Sequence, residues 1–293
     1  MLSGNRIAFR MRRGSAQRRR RVFLDAACYI LLGAGSVFAL LPLVWGLSTS
    51  LKPESMVLSA DPQWIPSTVT LENFRLALFE SEIPRALLNS VIVTITAVVL
   101  TIAVAIPAGY AAARYRFRGR STLLFYVLAT SMIPGIAVLL PLYVIAVGLG
   151  LTNNLLTMIV IYAAWQVPTV TWIVKGFFEA VPKEIEDAAR VDGCSSIRIL
   201  LQIMVPIIQP GLAAAAVIAF VYIWNDFLIG ATFATETHLR LINVSLYQYL
   251  SQYGIVWGQL MAAVMVTLLP VALFFALLEP RFIEGLSRGA IKG

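Results

Sequence analysis

The chain has 293 residues, 59% of them hydrophobic and only 13% charged, with a mean hydropathy of +0.82. Soluble globular chains are about 45–50% apolar and about 25% charged, and disordered chains are poorer still in apolar residues, so both classes are excluded. The formal charge of +8 comes with two cysteines in unlike surroundings, Cys28 and Cys194, and a single histidine, His238. That set offers no disulfide framework, no metal-ligand spacing and little acid–base chemistry.

Crossing about 30 Å of hydrocarbon takes about 20 mostly apolar residues. Five stretches without charge stand out, at 26–51, 86–113, 121–174, 199–225 and 241–278. The third is long enough for two spans, and Gly148-Leu149-Gly150 followed by Asn153-Asn154 supplies the turn between them. The expected fold is therefore an all-α integral membrane protein with six transmembrane helices, at about 24–51, 86–113, 121–147, 153–176, 206–231 and 257–280. Uncharged runs of this length lack the ten-residue alternation of barrel strands, and a helix satisfies its backbone within one segment. In chain order the organisation is a basic segment at 1–21, a six-helix membrane domain at 22–281 and a short tail at 282–293.

Short cytoplasmic segments retain Lys and Arg. If the N-terminus is inside, nineteen of the 23 basic residues fall on that side, and only Lys52, Arg75, Arg85 and Arg240 fall outside. Both termini are expected in the cytoplasm. The run Arg18-Arg19-Arg20-Arg21 resembles the charged end of a signal peptide, but the apolar run after it is too long and reads as an uncleaved first span. A topology signal accounts for these arginines, and no nucleic-acid partner is expected. In the second span Ser90, Thr94, Ala97, Thr101 and Ala108 recur at helical spacing, a small-residue face that lets helices approach.

Between the fourth and fifth spans lies VPKEIEDAARVDGCSSIRILLQIMVPIIQP, residues 181–210. Pro182 suits a helix start, Glu184, Glu186 and Asp187 complement the positive end of the helix dipole, and Arg190 lies near its negative end. Asp192-Gly193 stops the helix with a residue free to take positive φ. Ser195 or Ser196 can cap a second helix over about 197–204, and Pro206 is expected to open the fifth span. The loop at 182–205 thus reads as a helix–turn–helix under the membrane. Ile185, Ala188, Ala189 and Val191 lie beside the acids, which suits insertion into a partner's groove.

The run Glu186-Asp187-Ala188-Ala189-Arg190-Val191-Asp192-Gly193, with Ile203-Met204-Val205-Pro206 after it, resembles the EAA loop of ABC importer permeases. Asp187 stands at the glutamate position and Val205 at the leucine position. Gly109-Tyr110-Ala111-Ala112-Ala113-Arg114, Pro141-Leu142-Tyr143, Leu149-Gly150-Leu151, Gly176-Phe177-Phe178, Trp224-Asn225-Asp226-Phe227 and the tail from Gly285 resemble, in order, the maltose-type carbohydrate permeases. The resemblance implies a non-catalytic bacterial inner-membrane subunit that forms half of a pathway with a homologous second permease. It also implies two cytoplasmic ATPase subunits that hold ATP and Mg, and an extracytoplasmic solute-binding protein. In such proteins the EAA loop, here Glu186, Asp187, Ala188, Ala189, Asp192 and Gly193, couples to the ATPase. No Gly-x-x-x-x-Gly-Lys-Ser/Thr is present in this chain, and neither a cofactor nor a metal is expected on it.

Candidates for the solute pathway are Tyr162, Gln166 and Thr169 on one face of the fourth span, with Trp165 beside them, and Asn225 and Asp226. Aromatic and amide groups stack on and hydrogen-bond sugars; polar contacts between helices are the competing account. Apart from Asp25 and Glu279 at span ends, Asp226 is the one acid in an expected span, about 30 Å beyond Pro206 and so near the outer surface. The outer stretches at 52–85 and 232–257 offer surfaces for a binding protein, and Tyr247, Tyr249 and Tyr253 in the second suit interface anchoring. An importer of glycerol phosphate is an alternative. A stand-alone secondary transporter is disfavoured, since it needs buried relay groups.

Overall fold

The computed structural model describes the backbone of residues 4–59, 61–250 and 254–290, with side chains inside 23–278. The side chains of the basic segment 1–21, of Tyr253 and of the tail 282–293 lie outside what is described. Every regular element among the described residues is a helix.

A long first helix, α1 (Gly4–Ser50), carries the apolar window Phe23–Ser50. After it come α2 (Glu72–Phe79) and α3 (Ile83–Arg114), then α4 (Arg120–Thr130), α5 (Gly135–Gly148) and α6 (Leu155–Ala180). The loop helix α7 (Lys183–Val191) leads into α8 (Ser196–Ile207) and α9 (Gln209–Asn225). Short helices α10 (Leu228–Phe233) and α11 (Ile242–Gln248) precede the last, α12 (Trp257–Ala290), whose apolar part is Trp257–Leu278. Four helices, α1, α3, α6 and α12, are long and apolar enough to cross a membrane, and they match four expected spans to within about a helical turn.

The other two expected spans each fall on a bent helix pair. Helices α4 and α5 meet at 90°, and α8 and α9 meet at 78°. At the first break Pro134 sits at the N-cap of α5 with ψ 126°. Proline lacks the amide a continuous helix needs and pushes the preceding residue out of the helical region. The second break corrects an expectation. Pro206 lies inside the single turn Val205–Ile207 that ends α8, ahead of the bend, and the helix after the bend begins at Gln209 with Pro210 in its first turn. Residues Ile199–Met204 of α8 are π-helical, a wider winding that shifts the register just before the bend.

Helices α3 and α6 form the main packing pair. The small-residue face expected on α3 is mostly buried: Ser90, Thr94, Ala97 and Thr101 lie inside the bundle, although Ala108 is exposed. The turn before α6 also forms as read, with Gly150 and Asn153 at positive φ and the Asn154 side chain accepting from the Leu156 amide at 2.8 Å. By contrast, the apolar side chains of α1 from Phe23 to Leu43 are largely exposed, a surface only lipid or another apolar body can cover. Its end is anchored, since Asn73 Nδ2 donates to the carbonyls of Ser50 (2.9 Å) and Lys52 (2.8 Å).

The 232–257 stretch does more than rest at an interface. Asn89 Nδ2 donates to the carbonyls of His238 (3.0 Å) and Arg240 (3.1 Å), and Ser90 Oγ accepts from the Ile242 amide at 2.7 Å. Ile242, Val244 and Ser245 are buried, so α11 belongs to the helical body. Tyr247 remains exposed and leans on Phe227, with ring centroids 5.2 Å apart.

Candidate functional site

The 182–205 loop folds as the helix–turn–helix its sequence suggests. Pro182 caps α7, Glu184 and Glu186 occupy its first turn and Arg190 its last. Gly193 has φ +79°; its amide donates to the Arg190 carbonyl and the Cys194 amide to the Ala189 carbonyl, both at 3.0 Å. These two bonds are the Schellman pattern, which satisfies carbonyls otherwise orphaned at a helix end. Ser195 Oγ then accepts from the Arg198 amide at 3.4 Å and starts α8.

The loop has two unlike faces. Inward, Glu186 and Ala189 are buried, with Ile199 and Met204 beneath them. Outward, Asp187, Ala188, Asp192 and Gly193 are exposed. So are Ile185, Val191 (88%), Ile197 (71%) and Leu201. The candidate coupling residues therefore divide: four reach the surface, and Glu186 and Ala189 turn toward the chain's own helices.

Glu186 sits in a polar cluster where α3, α6 and α7 meet. Its Oε2 accepts from the Tyr110 hydroxyl at 2.9 Å, and its Oε1 accepts from Arg114 Nε. Arg114 Nη2 donates to the Val181 carbonyl at 2.8 Å, which ties the same guanidinium to the end of α6. Both partners are desolvated, with side chains 6% exposed for Arg114 and 2% for Glu186. Arg190 closes the surface side, reaching Glu186 at 3.4 Å and Asp187 at 2.7 Å. The Tyr110 ring meets Phe178 edge-on at 5.4 Å. A charge pair this dry persists only when further hydrogen bonds satisfy both ions, and here each ion has them. Nearby, Glu179 is shared by Lys175 (2.8 Å) and Arg120 (3.2 Å). Sequence reasoning missed Tyr110 and Arg114 as partners, although their four-residue spacing on α3 placed them on one face.

Among the pathway candidates, Tyr162 and Asp226 come together, the Tyr162 hydroxyl donating to Asp226 Oδ1 at 2.9 Å. The same oxygen accepts from the Ile229 amide at 2.9 Å, so the carboxylate also caps the start of α10. A small pocket beside it is lined by Trp165, Tyr222 and Asp226 among apolar residues of α5 and α6. Gln166 is buried one turn along α6 from Tyr162, Thr169 is half-buried, and the exposed Asn225 turns back to the Val221 carbonyl at 2.8 Å.

A bundle of apolar helices, four of them long enough to cross a membrane, with a capped, two-faced helix pair in a connecting loop is the architecture of a multi-pass membrane protein. The chain belongs to the family described as binding-protein-dependent transport system inner membrane component, which matches residues 105–284. It is 33% identical to the sulfoquinovosyl glycerol transport system permease protein SmoH of Agrobacterium fabrum, over 88% of this chain and 90% of that one. It is 32% identical to the trehalose transport system permease protein SugB of Mycobacterium tuberculosis, over 87% and 93%. In fold it resembles a chain of a bacterial ABC transporter involved in the import of the acidic polysaccharide alginate, with TM-score 0.75 over 90% of this chain and 98% of that one, at 20% identity. The protein is a multi-pass inner-membrane transport component.

Proposed function

We propose that this chain is one permease subunit of an ATP-driven importer for a sugar or oligosaccharide. In this reading it pairs with a homologous permease, receives solute from an extracytoplasmic binding protein, and is driven by two ATPase subunits that bind and hydrolyse the ATP with its Mg. The printed functions of the relatives, sulfoquinovosyl glycerol and trehalose transport, support the solute class. Each bent pair counts as one span. Both α3 and α6 end at the 182–205 loop, since Arg114 meets Val181, and the opposite end of α3 meets the 238–242 segment. In this reading the stretch from α4 to α5 returns across the bundle, giving six spans with both termini on the cytoplasmic side, and the placement of basic residues supports it.

The observation that carries this reading is the outward face of the 182–205 loop. Val191, Ile197 and Leu201 are exposed apolar residues on the capped helix pair that also exposes Asp187 and Asp192. Apolar anchors on a helix suit insertion into a groove of a soluble partner. ATP-driven closure of the ATPase pair would then move the loop, and through it the spans, between inward- and outward-facing states. Val191→Asp is expected to weaken ATPase binding by at least about 2 kcal/mol, roughly thirty-fold, because it places a carboxylate in an apolar contact. Co-purification of the ATPase with the tagged permease measures this; undiminished recovery would remove the docking role of this face.

The turn between the helices is expected to matter for coupling. Positive φ costs a non-glycine residue about 1–2 kcal/mol, and β-branching adds to this. No neighbour stands within 4 Å of a β-carbon at Gly193, so the penalty there is conformational alone. Gly193→Val is expected to lower solute uptake per ATP hydrolysed, and full uptake at normal membrane abundance would contradict it.

A further inference from the structure

We propose that Glu186, Arg114 and Tyr110 form an internal latch that fixes the loop helix α7 to the cytoplasmic ends of α3 and α6, so that the three move as one body when the ATPase closes. The inference rests on the coupling role of the loop and reassigns Glu186 within it, from a contact with the partner to a positioning residue inside the subunit.

Burial is the first ground. A residue that grips a soluble partner must be reachable, yet Glu186 is 1% exposed while its neighbours Asp187 and Ala188 are at the surface. Bond inventory is the second. Its carboxylate is satisfied from within, by the Tyr110 hydroxyl, the Arg114 guanidinium and, from the surface side, Arg190. Both carboxylate oxygens are thus engaged from within the subunit. Connectivity is the third. Arg114 holds Glu186 with Nε and the Val181 carbonyl with Nη2, so one planar guanidinium joins the last turn of α3, the end of α6 and the first turn of α7. A planar fork with fixed donor directions restrains angle as well as distance.

The mechanical consequence follows from what else holds α7. Its chain neighbours are Pro182 with φ −56° and Gly193 with φ +79°, the two ends of a short connection. Apart from Ala189 packing inward, the Glu186 cluster is the polar attachment of α7 to the spans. Motion imposed on the outer face is thereby transmitted to α3, a helix reaching to the opposite end of the bundle at Ile83.

The test uses the whole assembly, co-expressed with its partner permease and ATPases, with Cys28→Ser and Cys194→Ser introduced first. Nitroxide labels at Arg116 and Ser196, both exposed, report the separation between the end of α3 and the loop, without nucleotide and after trapping with ATP, Mg and vanadate. The parent assembly is expected to show one narrow distance, unchanged by trapping. Glu186→Gln is expected to give a broad distance distribution that shifts on trapping, while the ATPase co-purifies in undiminished amount. Where that variant fails to accumulate, Glu186→Gln with Arg114→Gln removes both charges together and should behave alike. A narrow, nucleotide-independent distance in either variant, or loss of the ATPase from Glu186→Gln, overturns the latch. Retention of the ATPase by Val191→Asp would instead overturn the docking face, leaving the label distances to judge the latch on their own.

Discussion

Arg114→Ala is expected to be among the most destabilising single changes in the described part of the chain, at about 3–5 kcal/mol. The size follows from what stays behind. Glu186 keeps its place in a dry pocket, with Tyr110 as its one fully buried donor and Arg190 reaching it from a half-exposed position at 3.4 Å. An ionised carboxylate whose strong counter-ion is lost must be protonated, or must pull water or α7 itself away from the spans. The Val181 carbonyl loses its donor in the same step. Unfolding of the purified subunit in one detergent measures the loss. Two comparisons give it meaning. Arg190→Ala removes a side chain that is 49% exposed, and its ion pairs are expected to contribute no more than about 1 kcal/mol. Replacing Arg114, Glu186 and Tyr110 together with Met, Leu and Phe removes both charges and the hydroxyl, and should recover most of the stability without recovering coupling. If Arg114→Ala unfolds like the parent, the cluster is not the buried pair described.

How much of this was legible beforehand varies by element, for physical reasons. Long helices in lipid are announced by length without charge, and α1, α3, α6 and α12 were readable to within a turn. Both bends hide inside equally apolar stretches, so hydropathy alone passes over them. The punctuation was nevertheless present, as Pro134-Gly135 in one and Pro206 with Pro210 in the other. The loop helix was legible with its stop at Gly193, because capping chemistry is local. Its inner face was not. Helical periodicity sets Glu186 beside Ala189 and Arg190, but the buried partners of Glu186 lie 72 and 76 positions upstream. No local pattern reaches that far. Tyr162 and Asp226 were each singled out on their own merits, and only the fold brings them to 2.9 Å. The 232–257 stretch read as a loop because its anchors are one asparagine and one serine side chain, adjacent on the distant α3, which carry no periodicity.

Gly211→Val is the second change expected to have a large effect, and it acts through volume rather than charge. Gly211 lies in the first turn of α9, just after the 78° bend, where that helix crosses the end of α6. A β-carbon there would stand closer than 3.0 Å to Cγ and both Cδ atoms of Phe177. Those ring atoms are close to the backbone, so turning the ring about χ2 does not clear them: Phe177 must leave its χ1 rotamer or the helices must part. Overpacking in a tight interior typically costs about 1–3 kcal/mol, and this contact is expected at or above the top of that range. Gly176→Val, one residue from Phe177 but with open space around its added β-carbon, is expected to stay within about 1 kcal/mol. The decisive variant is Gly211→Val with Phe177→Ala, which returns the missing space. Because Phe177 is itself 38% exposed, its truncation alone should be mild. Unfolding measured for the four variants then separates steric crossing from helix propensity. If the double variant is no more stable than Gly211→Val, the valine acts through the backbone of α9, and the close approach of α9 to α6 is not what glycine is needed for.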